Sequence, residues 1–267
     1  MRGLAGVYAQ QFRTTLAVQL QYRGALSIWL IGQILEPLIA LAVWSAVSRS
    51  SAGTVSGYTA SQFAAYFIVL MLVNHLTFTW IMFEFEYRVR HGSLSLALLR
   101  PLHPIHPDIA DNVSYKLITT PLMLVVAAFL GLLFRPSFSI SLWAVLAFIP
   151  SLVLAATLRF ILEWTLSLAV FWTTRVSAVN QLYFVVTLFL SGQLAPLAVF
   201  PHGIQVAAQI LPFRWTVGFP VELLLGRLTP IQALEGCLIQ AAWLGLGLLI
   251  LRAVWRAGTR SYSAVGA

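Results

Sequence analysis

The residue types suited to metal or acid–base chemistry are concentrated in one segment, residues 88–111, which reads RVRHGSLSLALLRPLHPIHPDIAD. Four side chains in it can bind a divalent metal: His103, His106, Asp108 and Asp111. Prolines at positions 101, 104 and 107 interrupt the segment, so its histidines lack the i, i+4 spacing of a helical HExxH zinc site. We therefore expect no metal and no catalytic residue here. An intramembrane enzyme acting on lipid is kept as an alternative.

A second group of candidate functional residues consists of ionisable side chains within apolar stretches. Arg159 and Glu163 are four residues apart, so they share a helix face and can form an ion pair. Glu36 stands before Pro37 in another apolar stretch. Ionisable residues within a membrane often serve transport, but a pair that locks one helix against its neighbours explains the same spacing. A proton-coupled secondary transporter that uses Arg159, Glu163 and Glu36 is therefore an alternative function.

The sequence contains no recognisable nucleotide-binding loop. The pattern GxxxxGK[ST] is absent, and Lys116, the only lysine, follows no glycine-rich stretch. No cofactor is expected on this chain, and ATP with Mg²⁺ is expected on a separate partner chain.

The composition places these residues in a lipid bilayer. Hydrophobic residues make up 60% of the 267, and charged residues only 9%, which is too few to cover a soluble globule. Stretches long and apolar enough to cross a membrane as helices lie near 25–48, 61–84, 114–134, 148–172, 179–199 and 233–254. We predict an all-α membrane protein with a single domain over 1–267. It comprises an interfacial helix over 1–24, a six-helix bundle over 25–255 and a cytoplasmic tail over 256–267.

The net charge of +8 follows from the topology of these spans and does not indicate nucleic acid. With a cytoplasmic N-terminus, one side carries Arg2, Arg13, Arg23, Arg88, Arg90, Arg100, Lys116, Arg175, Arg252, Arg256 and Arg260. The other side keeps only Arg49, Arg135, Arg214 and Arg227. Both termini and the segment 88–111 are thus expected in the cytoplasm. The single cysteine, Cys237, permits no disulfide within the chain.

Within the cytoplasmic segment, the run GSLSLALLR predicts a short helix that begins near Ser93 and ends at Pro101. Leu94, Leu98 and Leu99 would form an apolar knob, with Arg100 beside it. A small apolar helix held between two membrane helices suits docking into a groove of a soluble partner.

Two further segments are predicted at the membrane surfaces. Leucine and aromatic residues recur at every fourth position between Leu4 and Leu20, which predicts an amphipathic helix in the cytoplasmic interface. This helix either anchors the chain or also contacts a partner. Prolines divide the apolar segment 201–230 into pieces too short to span, so we predict short external helices that enter the membrane face. The candidate site residues in this segment are Pro212, Arg214, Glu222 and Arg227.

Long blocks of the chain resemble the ABC-2 type permeases of bacterial ABC transporters, in the branch that includes multidrug- and viologen-exporter-like subunits. The blocks are RVRHGSLSLALLRPLHPIHPDIADNVSYK, FWTTRVSAVNQLYFVVTLFLSGQLAPLAVFP, LPFRWTVGFPVELLLGRLTP and VWRAGTRSYSAVGA. The resemblance covers most of the chain from about residue 60 onward. The first 60 residues are similar in layout more than in motif.

This resemblance implies an exporter subunit in a bacterial inner membrane. It implies six spans, a connecting helix over Leu4 to Arg23, a coupling helix over Ser93 to Arg100 and a re-entrant segment over Pro201 to Arg227. Residues implied in ATPase coupling are Ser93, Leu94, Leu98, Leu99, Arg100, Pro101 and His103. The implied partners are two copies of a cytoplasmic ATP-binding subunit, a second permease that is identical or related, and membrane lipid.

Overall fold

The computed structural model of the chain describes residues 4–21, 23–50, 54–173 and 176–261. Twelve α-helices occur in these ranges. They are α1 (Leu4–Gln21), α2 (Arg23–Ser50), α3 (Ala60–Thr77), α4 (Ile81–Arg90), α5 (Ser93–Leu98), α6 (Ile105–Phe134), α7 (Leu142–Ser167), α8 (Val176–Leu190), α9 (His202–Ile210), α10 (Phe213–Thr216), α11 (Gly218–Leu224) and α12 (Pro230–Ser261). Short 3₁₀ helices follow α7 at Leu168–Phe171 and precede α9 at Leu197–Val199. The predicted all-helical architecture is confirmed over these ranges.

Four helical stretches in the described ranges are long and apolar enough to cross a membrane. They are Ala60–Arg90, Ile105–Phe134, Leu142–Phe171 and Pro230–Ser261, and each overlaps a predicted span. Two further apolar stretches, Leu38–Ser48 and Val176–Leu190, are shorter. The membrane architecture is therefore confirmed, while the number of six spans stays a prediction.

The fifth predicted span ends earlier than the hydropathy pattern indicated. The sequence predicted a span over 179–199, but α8 stops at Leu190. Gly192 follows with φ +87, a left-handed conformation that glycine adopts without steric cost and that commonly terminates helices. The hydroxyl of Tyr66 donates to the Gly192 carbonyl oxygen at 2.8 Å, so α3 holds this turn in place.

The second predicted span is interrupted near one end. Helix α3 begins with a capping box at Thr59 and ends at Thr77, where Phe78 adopts an extended backbone conformation. The chain resumes as helix at Ile81 and continues in α4 to Arg90. Helix α4, with α5 after it, is thus joined to the main span through the non-helical residues 78–80.

Helix α7 lies at the centre of the bundle and packs against α3, α4, α11 and α12. Close approach of α12 requires glycine at two positions. A Cβ at Gly236 would lie 2.1 Å from the Phe219 ring, and a Cβ at Gly258 would lie 2.2 Å from the Phe171 ring. Because real atoms cannot approach so closely, these glycines fix how near α12 lies to its neighbours.

The segment predicted as external re-entrant helices forms three short helices, α9, α10 and α11. Five of the seven residues of α11 are buried, and this helix packs against α7 and α3. Pro212 immediately precedes α10, as expected for a residue that favours a helix start. The segment therefore inserts among the long helices.

Some predicted features lie outside the described residues. They are Arg2, the side chains of Arg23, Glu36 and Arg49, residue Arg175 and positions 262–267 of the tail.

Candidate functional site: the α4–α5 hairpin and the buried charge network

Helices α4 and α5 form a tight hairpin at one end of the bundle. Gly92 joins them with φ +69, a left-handed conformation that favours glycine. The Ser93 hydroxyl donates to the Arg88 carbonyl oxygen at 3.2 Å and closes the turn. The short helix predicted from GSLSLALLR is present, and Pro101 follows it in non-helical backbone.

The leucines of α5 divide between the core and the surface. Leu94 has 0% exposure and packs in the cluster that contains Phe85 and Trp164. Leu98 is half-buried against the same cluster. Leu96 and Leu99 are 64% and 83% exposed, and Arg100 is exposed beside them. The exposed apolar surface of this hairpin is therefore formed by Leu96 and Leu99, and Leu94 takes no part in it.

The four residues of the segment 88–111 that could bind a metal contact different protein groups. Asp108 accepts from Arg88 at 2.6 Å and from the Trp164 indole at 2.9 Å. Asp111 accepts from Gln11, at 2.8 Å, and from Thr15. Tyr8 hydrogen-bonds to His106 at 3.0 Å. Over the described part of the chain, no three His, Cys, Asp or Glu side chains are placed to hold a metal.

These contacts attach α1 to the start of α6. Tyr8, Gln11 and Thr15 occur on successive turns of α1, and all three bond to α6 residues. The sequence predicted an amphipathic α1 but offered no signal for this docking, since its polar residues could equally have faced water. Helix α1 is anchored to the bundle. Whether it also contacts a partner stays a prediction.

His103 anchors the chain between α5 and α6 to the long helices. Its ring centroid lies 4.5 Å from that of Trp255 on α12 and 5.6 Å from that of Trp164 on α7. Burial, reinforced by the nearby His106, lowers the pKa of His103 below its usual 6.5. The ring is therefore neutral at pH 7, which suits a ring that packs at tilted angles against two indoles. Placement against α7 and α12 is a role that sequence reasoning missed.

The predicted ion pair between Arg159 and Glu163 is present and buried. Arg159 Nε donates to Glu163 Oε1 at 2.9 Å, and the side chains are only 2% and 1% exposed. The guanidinium also lies over the Phe78 ring, 5.3 Å from its centroid. An unpaired charge at such depth would cost several kcal/mol, and the pairing offsets this cost.

Neighbouring helices complete the hydrogen bonds of this pair. Arg159 Nη1 donates to Asn74 Oδ1 at 2.8 Å and to Thr77 Oγ1 at 3.1 Å. Glu163 accepts from the Thr79 hydroxyl and, at 3.1 Å, from the Tyr183 hydroxyl. Three of these partners lie at the end of α3 and in the break that follows it. The network thus connects α7 to the residues at which the second span is interrupted.

A second ion pair lies in the inserted segment at the opposite end of α3. Arg214 Nη2 contacts Glu222 Oε2 at 2.7 Å. Arg227 stacks its guanidinium on the Tyr58 ring, 3.5 Å from the centroid. Burial, supported by the Glu222 charge, raises the pKa of Tyr58 to about 12 and outweighs the opposing effect of Arg227 and Arg214. These contacts join the α10–α11 segment to the residues before α3.

The long apolar helices, the inserted short helices and the α4–α5 hairpin define a polytopic α-helical membrane protein. The model of the family described as "ABC-2 family transporter protein" matches residues 34–266. The chain therefore belongs to the ABC-2 family and is the permease component of an ABC transporter, a transport subunit whose family implies association with a cytoplasmic ATP-binding subunit. A search of curated proteins returned no match to this chain.

Proposed function

We propose that this permease is an exporter that receives the conformational change of a separate ATPase through the α4–α5 hairpin. The observation that carries the proposal is the division of α5 into a buried Leu94 and exposed Leu96 and Leu99. Exposed apolar side chains on a helix fixed by its own core are suited to insertion into a groove of a soluble partner. Arg100 lies next to this surface and can pair with an acidic rim.

The route from the hairpin into the bundle follows the network of buried charges. Helix α4 carries α5 at one end and begins at Ile81, just after the break at residues 78–80. Thr79 in that break bonds to Glu163 of α7. A displacement of α5 would therefore move α4 about the break and change the contacts between Thr79 and the Arg159–Glu163 pair. The proposed motion is a hinge rotation of α4 about residues 78–80.

The complete transporter is proposed to contain two ATPase subunits, which bind ATP and Mg²⁺, and two permeases. The second permease is a copy of this chain or a related one. The positive-inside pattern supports an inner-membrane location with cytoplasmic termini and a cytoplasmic α5. Export as the direction rests on family analogy.

The docking proposal can be tested with charge substitutions on the exposed face. Leu96→Asp and Leu99→Asp should each reduce co-purification of the co-expressed ATPase at least about tenfold, because a carboxylate would be desolvated in an apolar groove. Ser261→Asp, which adds the same charge at the end of α12, is the control and should leave recovery unchanged. Undiminished recovery of the ATPase with both leucine variants would show that α5 is not the docking element.

A proton-coupled secondary transporter using Arg159, Glu163 and Glu36 is the alternative. It predicts uptake into ATP-free inverted vesicles under a proton gradient, whereas the proposed function predicts that transport requires ATP and its ATPase. Arg159 and Glu163 both have several protein hydrogen-bond partners, which favours a structural pair over a titrating relay.

A further inference from the structure

A cavity of about 500 Å³ lies between α1 and the bundle, beside the break in the second span. Its walls come from α1, the break, α4, the first turns of α6 and Phe160 of α7. This volume is within the range of small-molecule binding sites in proteins. Helix α5 contributes no residue to its walls, while Thr79 of the proposed coupling path lines it.

The charged groups in the walls are mostly acidic. Glu84, Asp108 and Asp111 face Arg88, which is the only basic residue among the described residues that line the cavity. Arg88 lies 2.6 Å from Asp108 but 3.8 Å from Glu84, so its ion pair with Asp108 is the stronger of the two. Asp111 accepts from only two neutral groups among the described contacts, the Gln11 amide and the Thr15 hydroxyl. The three carboxylates therefore outnumber the one cation: Glu84 has only the longer 3.8 Å ion pair with Arg88, and Asp111 has no cationic partner among the described contacts.

Aromatic rings supply much of the remaining wall. Trp80, Tyr115 and Phe160 line the same cavity as these carboxylates. Aromatic faces attract cations and also pack against apolar groups. Val18 and Ile81 add apolar side chains to these rings, so the site suits a molecule with a charged head and an apolar body.

Helix α1 covers the cavity from the side of the predicted membrane interface. Gln11 and Thr15 bond to Asp111 at the edge of the cavity, while Val18 of α1 is 46% exposed and also lines it. An amphipathic interfacial helix in this position borders both lipid and water. A ligand could therefore enter from the headgroup region of the membrane.

We infer that this cavity binds an ammonium-type cation attached to an apolar body, held by Glu84 and Asp111 and by the aromatic wall. The ligand comes from one of two sources: a membrane lipid with an ammonium headgroup, or a free organic cation that has partitioned into the membrane. As an entry site for transport, the cavity rests on the proposed export function. The inference that the cavity binds a cation does not depend on the export function.

The test compares two xanthene dyes of similar size and opposite charge, cationic rhodamine 6G and anionic fluorescein. Their binding to the purified full chain in phosphatidylglycerol nanodiscs is measured by fluorescence polarisation, with empty nanodiscs subtracted. Rhodamine 6G should bind and fluorescein should bind at least about tenfold more weakly, because the wall carries uncompensated negative charge. Equal binding of the two dyes would overturn the inference without any variant being needed.

The variant pair Glu84→Gln/Asp111→Asn removes the two carboxylate charges that Arg88 does not closely pair, and the amide oxygen introduced at position 111 can still accept from Gln11 and Thr15. It should weaken rhodamine 6G binding at least about tenfold. The control is Glu86→Gln, which lies on the same helix but pairs with Arg90 and does not line the cavity. Unchanged affinity in the double variant, or an equal loss in the control, would overturn the inference.

Adding phosphatidylethanolamine to the nanodiscs separates the two sources. Weaker rhodamine 6G binding in these discs would identify a lipid headgroup as the occupant, and unchanged binding would identify a free organic cation. Because dye binding is measured without an ATPase, a failure of α5 docking would leave this result unaffected.

Discussion

Removing one member of the buried Arg159–Glu163 pair should destabilise the permease strongly. In Glu163→Ala, Arg159 stays buried with only Asn74 and Thr77 as polar partners, and the hydroxyls of Thr79 and Tyr183 lose their acceptor. Breaking a buried pair from one side costs about 3–5 kcal/mol. A similar loss is expected for Arg159→Met, which leaves Glu163 without its cation.

Removing both charges should cost much less than the sum of the two single substitutions. In Arg159→Met/Glu163→Leu both charges of this pair are removed, and the main penalty comes from the two unsatisfied hydroxyls, each about 1–3 kcal/mol. The single substitutions together would cost about 6–10 kcal/mol. The double-mutant cycle should therefore report a coupling energy of several kcal/mol between the two side chains.

Equilibrium unfolding in mixed micelles, followed by tryptophan fluorescence, measures these free energies. Glu86→Ala is the matched control, because its partner Arg90 is 61% exposed and an exposed pair contributes only about 0–1 kcal/mol. Single variants that lose less than about 1 kcal/mol, or a double variant whose loss equals the sum of the singles, would refute the structural interpretation of the pair.

Three further outcomes follow from the packing and the buried groups. Leu94→Ala should lower the free energy of unfolding by about 2–5 kcal/mol in the same assay, whereas Leu96→Ala should change it by less than about 0.5 kcal/mol, and equal effects would contradict their different burial. The pKa of His103 is lowered in the folded chain, so its contribution to stability is complete above pH 6.5 and is lost as the pH falls below that value. The melting temperature should therefore drop less between pH 7.5 and pH 5 in His103→Phe than in the native chain. An equal drop in both would show that protonation of His103 does not cause the loss of stability. Gly236→Val should destabilise the chain by more than about 1 kcal/mol, because its Cβ would overlap the Phe219 ring; a melting temperature equal to that of the native chain would show that α12 can move away from that ring.

The sequence was sufficient for features that depend on local spacing. Arg159 and Glu163 pair because i, i+4 residues share a helix face, and α5 begins after Gly92 because a glycine turn separates it from α4. The orientation of α5 was not predictable, since leucines occur around most of its circumference. Packing against Phe85 and Trp164 selects Leu94 for the core.

The interruption at residues 78–80 was not predictable for a related reason. Its residues Phe78, Thr79 and Trp80 are compatible with an apolar helix, and no proline or glycine marks the break. Tertiary contacts hold the non-helical conformation, including the bond from Thr79 to Glu163. The docking of α1 on α6 similarly depends on contacts between residues about 100 positions apart, such as Gln11 and Asp111, which periodicity cannot reveal.

If α5 docks the ATPase as proposed, the separation of Leu94 from Leu96 and Leu99 has a consequence for how related transporters distinguish their ATPases. Leu96 and Leu99 contribute little to the chain's own core, so they can change without a folding penalty, while Leu94 holds the helix in place. Exchanging only the residues at positions 96 and 99 should then redirect the permease to a different ATPase. Two exposed side chains would then determine which ATPase binds, while the rest of the fold stays unchanged.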